Sequence, residues 1–411
     1  MTKSKSILVV SPIPTHPSDS GNRSRLYHLL KKFQDEGFEV CLLFLDKGYG
    51  CDYRAMRGEW DGFYGKVYGK GFKGKLVYFS KRLLGDIAPG SLGFIDSLIS
   101  RLPSHGKYDP LQIDAWYDSS IDEIVCKLKK ENAFDVVLVE YVYLSKVLEL
   151  FDDRVVKVID AHDIFSNRHV CFQDRGKAPV FFYTSPEEEA KGFSRANLVL
   201  AIQDEDAEFI SELSDVDVIT VGHCPKMNAE NPVGFLRAPP HRSLYVATNT
   251  VPNQDAMDFF LDNVWPRVLR CHPAVQLHVV GGICHYIRRR VDDDDNVHLH
   301  YLVNDLSSFY RDDYIVINPV RIGTGLKIKN IEALFMGKPL VTTSVGAQGL
   351  KRWINEAFLV ADDAENFAIQ LIKLLSDADA CNALSKAALM FSSEYRREYE
   401  KSVNDLISRL T

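Results

Sequence analysis

The sequence predicts an α/β protein built as two doubly wound domains facing each other across a cleft. Three observations carry that expectation. Near-continuous apolar runs of strand length alternate with amphipathic stretches of helix length, the pattern of parallel sheets covered on both faces. The pattern occurs twice, once before residue 221 and again from residue 243. Between the two sets, 221–242 is rich in proline, glycine and asparagine and lacks periodicity, as a linker does. A chain of 411 residues also exceeds one ordinary core and suits two domains.

The first set runs in order along 1–220. ILVVSPIP is an apolar run ended by prolines, RLYHLLKKFQDEG a helix closed by Gly37, and FEVCLLFLD a buried strand. DVVLVE, VVKVIDAHD and ANLVLAIQ continue the strands. Arg25, in the first helix, is expected on its solvent face. The second set, 243–391, opens with SLYVAT and continues with VQLHVVG, NVHLHYL, YIVINP and PLVTTS. A last helical stretch, 392–411, completes the chain. Two such Rossmann-like domains place a ligand cleft at the carboxyl ends of their strands.

Residues 50–85 stand apart, with eight Lys/Arg against three acids and eight interleaved aromatics. Two readings stay open: a solvated insertion, or a surface for an anionic glycan, lipid headgroup or bilayer. The net charge of −7 and pI near 6.0 exclude the general basic field of a nucleic-acid binder. No apolar run reaches membrane-spanning length, and no signal-peptide pattern opens the chain. The eight cysteines are scattered without a C-x-x-C pair, which fits reduced thiols in the cytoplasm. Asp292–Asp295 with His298 and His300 reads as a solvated turn and a strand face, not a metal site.

The most informative stretch is 314–350. A β-run ends in Pro319, a glycine-rich loop (Gly323, Thr324, Gly325) opens into an amphipathic helix, and a second β-run follows. Such a unit presents free N–H groups and a positive helix end to an anion. Lys327 and Lys329 near the helix start are disfavoured there by about 0.3–1 kcal/mol each unless an anion meets them. Two lysines suit a pyrophosphate, and Glu332 suits a pair of sugar hydroxyls. The combination points to a nucleotide-sugar site.

Gly323 to Ala333 reads G-x-G-x-K-x-K-x-x-E-A and resembles the donor motif of glycosyltransferase family 4, retaining enzymes of the GT-B fold. Looser likeness extends through SPIPTHPSDSGNRSRLYHLL, VIDAHDIFSNRH and SRANLVLAIQDEDAEFI in the first half. The resemblance implies catalytic roles for His162, Lys327 and Glu332. It implies donor contacts from Arg321, Gly323, Thr324, Gly325, Leu326 and Lys329, with Thr248, Asn249 and Gly281 after the first two strands of that half. On the acceptor and diphosphate side it implies Gly21, Asn22, Arg23, Asp163 and Glu140, with Arg23 reaching into the cleft. It also implies that the last helical stretch crosses back onto the first domain.

The chain departs from the family pattern in two places. The better-known motif has an earlier glutamate; the corresponding positions here are Ile322 and Thr324. Family members often carry a cation pair after the first C-terminal strand, whereas this loop reads Thr248-Asn249-Thr250-Val251-Pro252-Asn253. Arg321, Lys327 and Lys329 are the cations available to replace it. His162, flanked by Asp160 and Asp163, is a candidate general base or sugar contact.

The expectation is a retaining glycosyltransferase that needs no metal or other cofactor. It would use a UDP- or GDP-sugar and a glycan or lipid-linked acceptor, in surface polysaccharide or glycoconjugate assembly. It would work in the cytoplasm, with peripheral contact to the anionic inner face of the membrane and no nucleic-acid partner. A GT-B epimerase or phosphorylase, or an inactive glycan- or partner-binding protein, are the alternatives.

Overall fold

The computed structural model describes residues 4–18, 20–48, 50–67, 108–225, 236–291, 296–303, 306–311 and 313–411, and among them the apolar runs pair into two separate parallel sheets. The first contains β1 (Ser6–Ser11), β2 (Glu39–Asp46), β3 (Gly62–Val67), β4 (Val136–Glu140), β5 (Val156–Ala161), β6 (Leu198–Ala201) and β7 (Asp217–Thr220). Its order is β3-β2-β1-β4-β5-β6-β7. The second contains β8 (Arg242–Val246), β9 (Gln276–Val280), β10 (Val297–Leu299), β11 (Ile315–Asn318), β12 (Leu340–Thr342) and β13 (Leu359–Val360), in the order β10-β9-β8-β11-β12-β13. The predicted fold class is therefore the observed one.

Burial explains why the central strands were readable. Ile7, Leu8, Val9 and Val10 of β1 are wholly buried, and Leu8 lies opposite Cys41 on one side and Val137 on the other. A strand covered on both faces has no place for alternating polar residues. Both sheets reverse their strand order once, between β1 and β4 and between β8 and β11. Those reversals open a crevice at the carboxyl ends of the flanking strands. The loops that fall there begin after Ser11, Glu140, Val246 and Asn318.

The helix Ala378–Leu410 joins the two halves. The Asp377 carboxylate caps it, accepting from the N–H groups of Asp379 and Ala380 at 2.9 and 3.0 Å. Its early residues Cys381 and Leu384 pack on the second core, whereas Val403, Leu406 and Leu410 pack into the first. Between them, Ala388 and Phe391 lie with Leu334 and Phe335 in a third cluster that also takes Ile202 from the first half.

The stretch 50–67 departs from the insertion expected there. It forms a helix, Tyr53–Glu59, capped by Asp52 through the Ala55 N–H, and then the edge strand β3. Trp60 is buried and donates to Thr15 Oγ1 at 3.0 Å, and Tyr53 donates to Asp46. Local packing thus accounts for these aromatics. The remaining 68–85, with Lys70, Lys73 and Lys75, lies outside the described residues, as do 226–235 of the linker and Asp292–Asp295.

Candidate active site

Four charged side chains interlock beneath the N-terminal wall of the cleft. Arg25, expected on a helix surface, is buried at 2% exposure. Its guanidinium donates to Asp160 at 2.6 Å and to the carbonyls of Val221 and Gly222 at 2.7 and 2.6 Å, tying the first helix to the end of the first domain. His162 Nε2 lies 2.6 Å from Glu140 and 3.3 Å from Asp160, both at 0% exposure. Of the two acids that flank His162 in the sequence, Asp160 is its partner and Asp163 is not, and Glu140 is the second partner.

Burial by itself would strip the His162 proton, but the Glu140 and Asp160 carboxylates outweigh it and raise the imidazole to about 9. A histidine in that state holds its proton at neutral pH. That state favours donating a hydrogen bond or stabilising negative charge over acting as a general base. Burial pushes Glu140 up to about 7 against the pull of His162. Asp160 stays well below the usual carboxylate range because Arg25 and His162 overcome its burial. Among the described residues, Glu140, Asp160 and His162 are the one trio with metal-like spacing, their ligand atoms within 4.8 Å of one another. Arg25 and the His162 imidazolium already supply positive charge there.

The loop after β1 and the strand end of β4 complete this wall. Gly21 starts the first helix, and a Cβ added there would stand 3.1 Å from the Ile328 side chain of the opposite domain. Asn22 accepts from the Ser20 hydroxyl and the Arg23 N–H and hydrogen-bonds the Tyr141 phenol. The Arg23 guanidinium donates to the carbonyl of Gly50 at 2.9 Å and that of Pro17 at 3.4 Å. Tyr141, which sequence reasoning passed over, has φ +68°, a strained conformation for a bulky residue. Its ring lies 5.0 Å from that of His162. Only backbone geometry reveals that signal.

Asp163 instead faces the second domain. Thr324 Oγ1 donates to its carboxylate at 3.3 Å, and Arg168 lies 3.3 Å from its other oxygen. Gly325 has φ +72°, and a Cβ there would come within 2.7 Å of Asp163 and 3.0 Å of the His162 carbonyl. Both the backbone hand and the space require glycine at this position.

On the C-terminal wall the helix begins later than the motif suggested. It spans Ile328–Phe335, with Lys327 extended at the N-cap, so Leu326 and Lys327 belong to the loop. Lys327 Nζ donates to the Gly325 and Thr324 carbonyls at 2.6 and 3.2 Å and to Gln348 Oε1 at 3.0 Å. Lys329 Nζ donates to Asn253 Oδ1 at 3.0 Å and sits 4.6 Å above the Tyr245 ring. Neither lysine forms an ion pair with a carboxylate among the described residues. Burial lowers Lys327 to about 8, partly countered by Asp163, and lowers Lys329 to about 7. Burial also raises Glu332, one turn on, to about 7 against the pull of Lys329.

Arg321, expected from the sequence among the donor contacts, is paired with an acid of its own domain. Its Nη2 and Nε donate to Asp255 at 2.9 and 3.1 Å, and its guanidinium covers the Phe259 ring at 4.3 Å. Gly323, with φ +133°, leaves room beside the Lys327 side chain. Thr248 and Asn249 are exposed after β8, with Asn249 accepting from Gln254 at 2.8 Å. Gly281 follows β9 at φ +104°, where a Cβ would meet the Ala247 carbonyl at 2.3 Å. The motif alone also hid Asn330, which is buried, donates to the Gly346 carbonyl and accepts from Asn318, both at 2.9 Å. These bonds fix the helix start against the ends of β11 and β12.

His298 and His300 lie beside His278. His278 and His300 share a 2.9 Å hydrogen bond between ring nitrogens, and burial lowers His278 to about 4.

Comparison with known proteins agrees with this geometry. Residues 240–377 match the family described as glycosyl transferases group 1. The chain is 23% identical over 405 residues to an uncharacterized 44.6 kDa protein in the cps region of Klebsiella pneumoniae, covering 94% of this chain and 95% of that one. Its fold is similar to that of TarM, with a TM-score of 0.67 at 13% identity over 100% of this chain and 99% of that one. It is also similar to Anabaena HepE in complex with UDP, with a TM-score of 0.61 at 14% identity over 98% and 100%. The fold is thus GT-B, two Rossmann-like domains, and the match of its C-terminal domain supports a glycosyltransferase of that type.

Proposed function

We propose that the protein is a retaining, metal-independent glycosyltransferase that moves a sugar from a nucleotide-diphosphate sugar to a glycan or lipid-linked acceptor. One observation carries this reading. Lys327 and Lys329 are desolvated beside a glycine loop at a topological switch point, yet neither has a carboxylate to pair with among the described residues. A diphosphate supplies the missing charge, and negative charge grows on it as the glycosidic bond breaks. The first N–H groups of the Ile328–Phe335 helix add donors at the same place.

The other residues take roles consistent with their surroundings. Glu332 accepts hydrogen bonds from the ribose hydroxyls. The protonated His162 donates to the transferred sugar from the opposite wall. Asp163, through Thr324, holds the two walls together and keeps water from the reacting carbon. UDP is the first nucleotide to test, because HepE is similar in fold and was crystallised with it. The cps-region relative favours surface polysaccharide assembly at the cytoplasmic face of the membrane. No helix among the described residues is long and apolar enough to cross a bilayer.

The test is a thermal-shift screen against UDP-, GDP-, ADP-, TDP- and CMP-sugars, followed by transfer assays with the sugar that binds. A ligand at 100 times its Kd adds about 2.7 kcal/mol of stability. Absence of a shift with every nucleotide sugar overturns the reading. Turnover without acceptor would replace transfer with epimerisation, and dependence on free phosphate would replace it with phosphorolysis.

A further inference from the structure

Behind the N-terminal wall, two passages between the domains meet at Arg25. One is the connection that leaves β7, where the Arg25 guanidinium donates to the carbonyls of Val221 and Gly222 at 2.7 and 2.6 Å. The other is the helix Ala378–Leu410, whose Tyr395 backs that connection. A Cβ added at Gly222 would overlap the Tyr395 hydroxyl, which also accepts from the His223 N–H at 3.2 Å. The Tyr395 ring lies 6.0 Å from that of Phe335, the last residue of the helix that carries Lys329 and Glu332. Toward the cleft, Asp160 divides its two oxygens. Oδ1 accepts from Arg25 at 2.6 Å, and Oδ2 lies 3.3 Å from His162 Nε2.

We propose that Arg25 is a positioning residue: it sets the place of His162 through Asp160, and is itself set by the interdomain connection that Tyr395 backs. The inference rests on the glycosyltransferase reading for what His162 does, and on geometry for what Arg25 does to it. Arg25, Asp160, Glu140 and His162 are all buried, so none of them can move without moving its neighbour. Asp160 cannot approach the imidazole more closely without drawing away from the guanidinium. One planar fork holds the carboxylate and both carbonyls at once, which the compact ammonium of a lysine cannot do. A disturbance at Gly222 therefore reaches His162 through three consecutive contacts: Gly222 to Arg25, Arg25 to Asp160, and Asp160 to His162. Contiguous hydrogen bonds and packed side chains of this kind carry coupling between distant residues.

The test follows the ring N–H resonance of His162 by NMR in the full chain, assigned by its loss in His162→Gln. Transfer kinetics, the Kd for UDP and urea unfolding are measured beside it. Arg25→Lys should move the resonance and lower kcat about tenfold or more, with the Kd for UDP unchanged. Gly222→Ala leaves all four charged side chains in place, yet should move the resonance and lower kcat by a smaller factor. Adding Tyr395→Phe removes the hydroxyl that the new Cβ meets and should restore both. An arginine that served only to hold the fold would lower the urea midpoint and leave the resonance and kcat of the folded enzyme alone, which overturns the proposal. If Arg25→Lys does not fold, Gly222→Ala decides, and an unmoved resonance there overturns it equally. Resonances that move as stated, in a chain that transfers from no nucleotide sugar, keep the positioning role and remove the glycosyltransferase reading. A parent that transfers sugar, with resonance and kcat unmoved in every folded variant, does the reverse.

Discussion

The two walls of the cleft hold charge in opposite ways. On the N-terminal wall, Arg25, Asp160, His162 and Glu140 form a buried cluster of ion pairs. On the C-terminal wall, Lys327, Lys329 and Glu332 are desolvated without ion pairs, and burial pulls them toward neutrality, to about 8, 7 and 7. Buried charge inside a structural network raises the pKa of its cation, as at His162. Buried charge awaiting a ligand lowers it, as at both lysines. The direction of the shift therefore separates a cation already paired with carboxylates from cations without such a partner within one cleft.

The sharpest way to break this contrast is to remove one member from each wall. Arg25→Met should strip Asp160 of its guanidinium, leaving only His162 beside a buried carboxylate, and cost about 3–5 kcal/mol, measured by urea denaturation. A loss near zero would mean that the cluster does not hold the first domain together. Lys327→Ala should lower sugar transfer about 10²–10³-fold while the protein stays folded, because the removed charge had no ionic partner. Near-normal turnover would take Lys327 out of the mechanism. Glu332→Gln should weaken nucleotide binding about tenfold, seen by calorimetry as a change in Kd with little change in unfolding.

The smallest expected effects are in the pH dependence, where the two walls carry opposite signs. His162 has a folded pKa above its unfolded 6.5, so its stabilisation is complete below about 6.5 and lost as pH rises through about 9. The stability deficit of His162→Gln should shrink across that interval. Lys329 has a folded pKa below its unfolded 10.5, so its cost is complete below about 7 and fades toward 10.5. Ligand-free Lys329→Met should therefore be more stable than the parent at neutral pH and converge with it as pH rises. Parallel trends in the two variants would erase the distinction between the walls.

What the sequence revealed follows the same division between local and distant causes. The glycine loop with Lys327, Lys329 and Glu332 was legible because its chemistry is contiguous in the chain. The central strands were legible because full burial excludes polar residues from them. The edge strands β7 and β13 were missed, since β7 buries only Ile219 fully and β13 is half-buried throughout. Long-range pairing decided the rest. Arg321 looked free until Asp255 claimed it, Arg25 looked exposed until Asp160 did, and the support of Lys327 by Gln348 crosses a strand. The partners of His162 were sought next door in Asp160 and Asp163; Asp160 is one, and parallel pairing brings Glu140 of β4 alongside Asp160 of β5 and so close to the imidazole.

The most direct test of the C-terminal wall as an anion site is the proton count on binding UDP at pH 8. Both lysines are partly unprotonated there, and a diphosphate beside them raises their affinity for protons. Titration calorimetry in two buffers of different ionisation enthalpy should show net proton uptake by the parent chain, and less of it by Lys327→Ala. Binding with no proton uptake, or with release, would contradict the account.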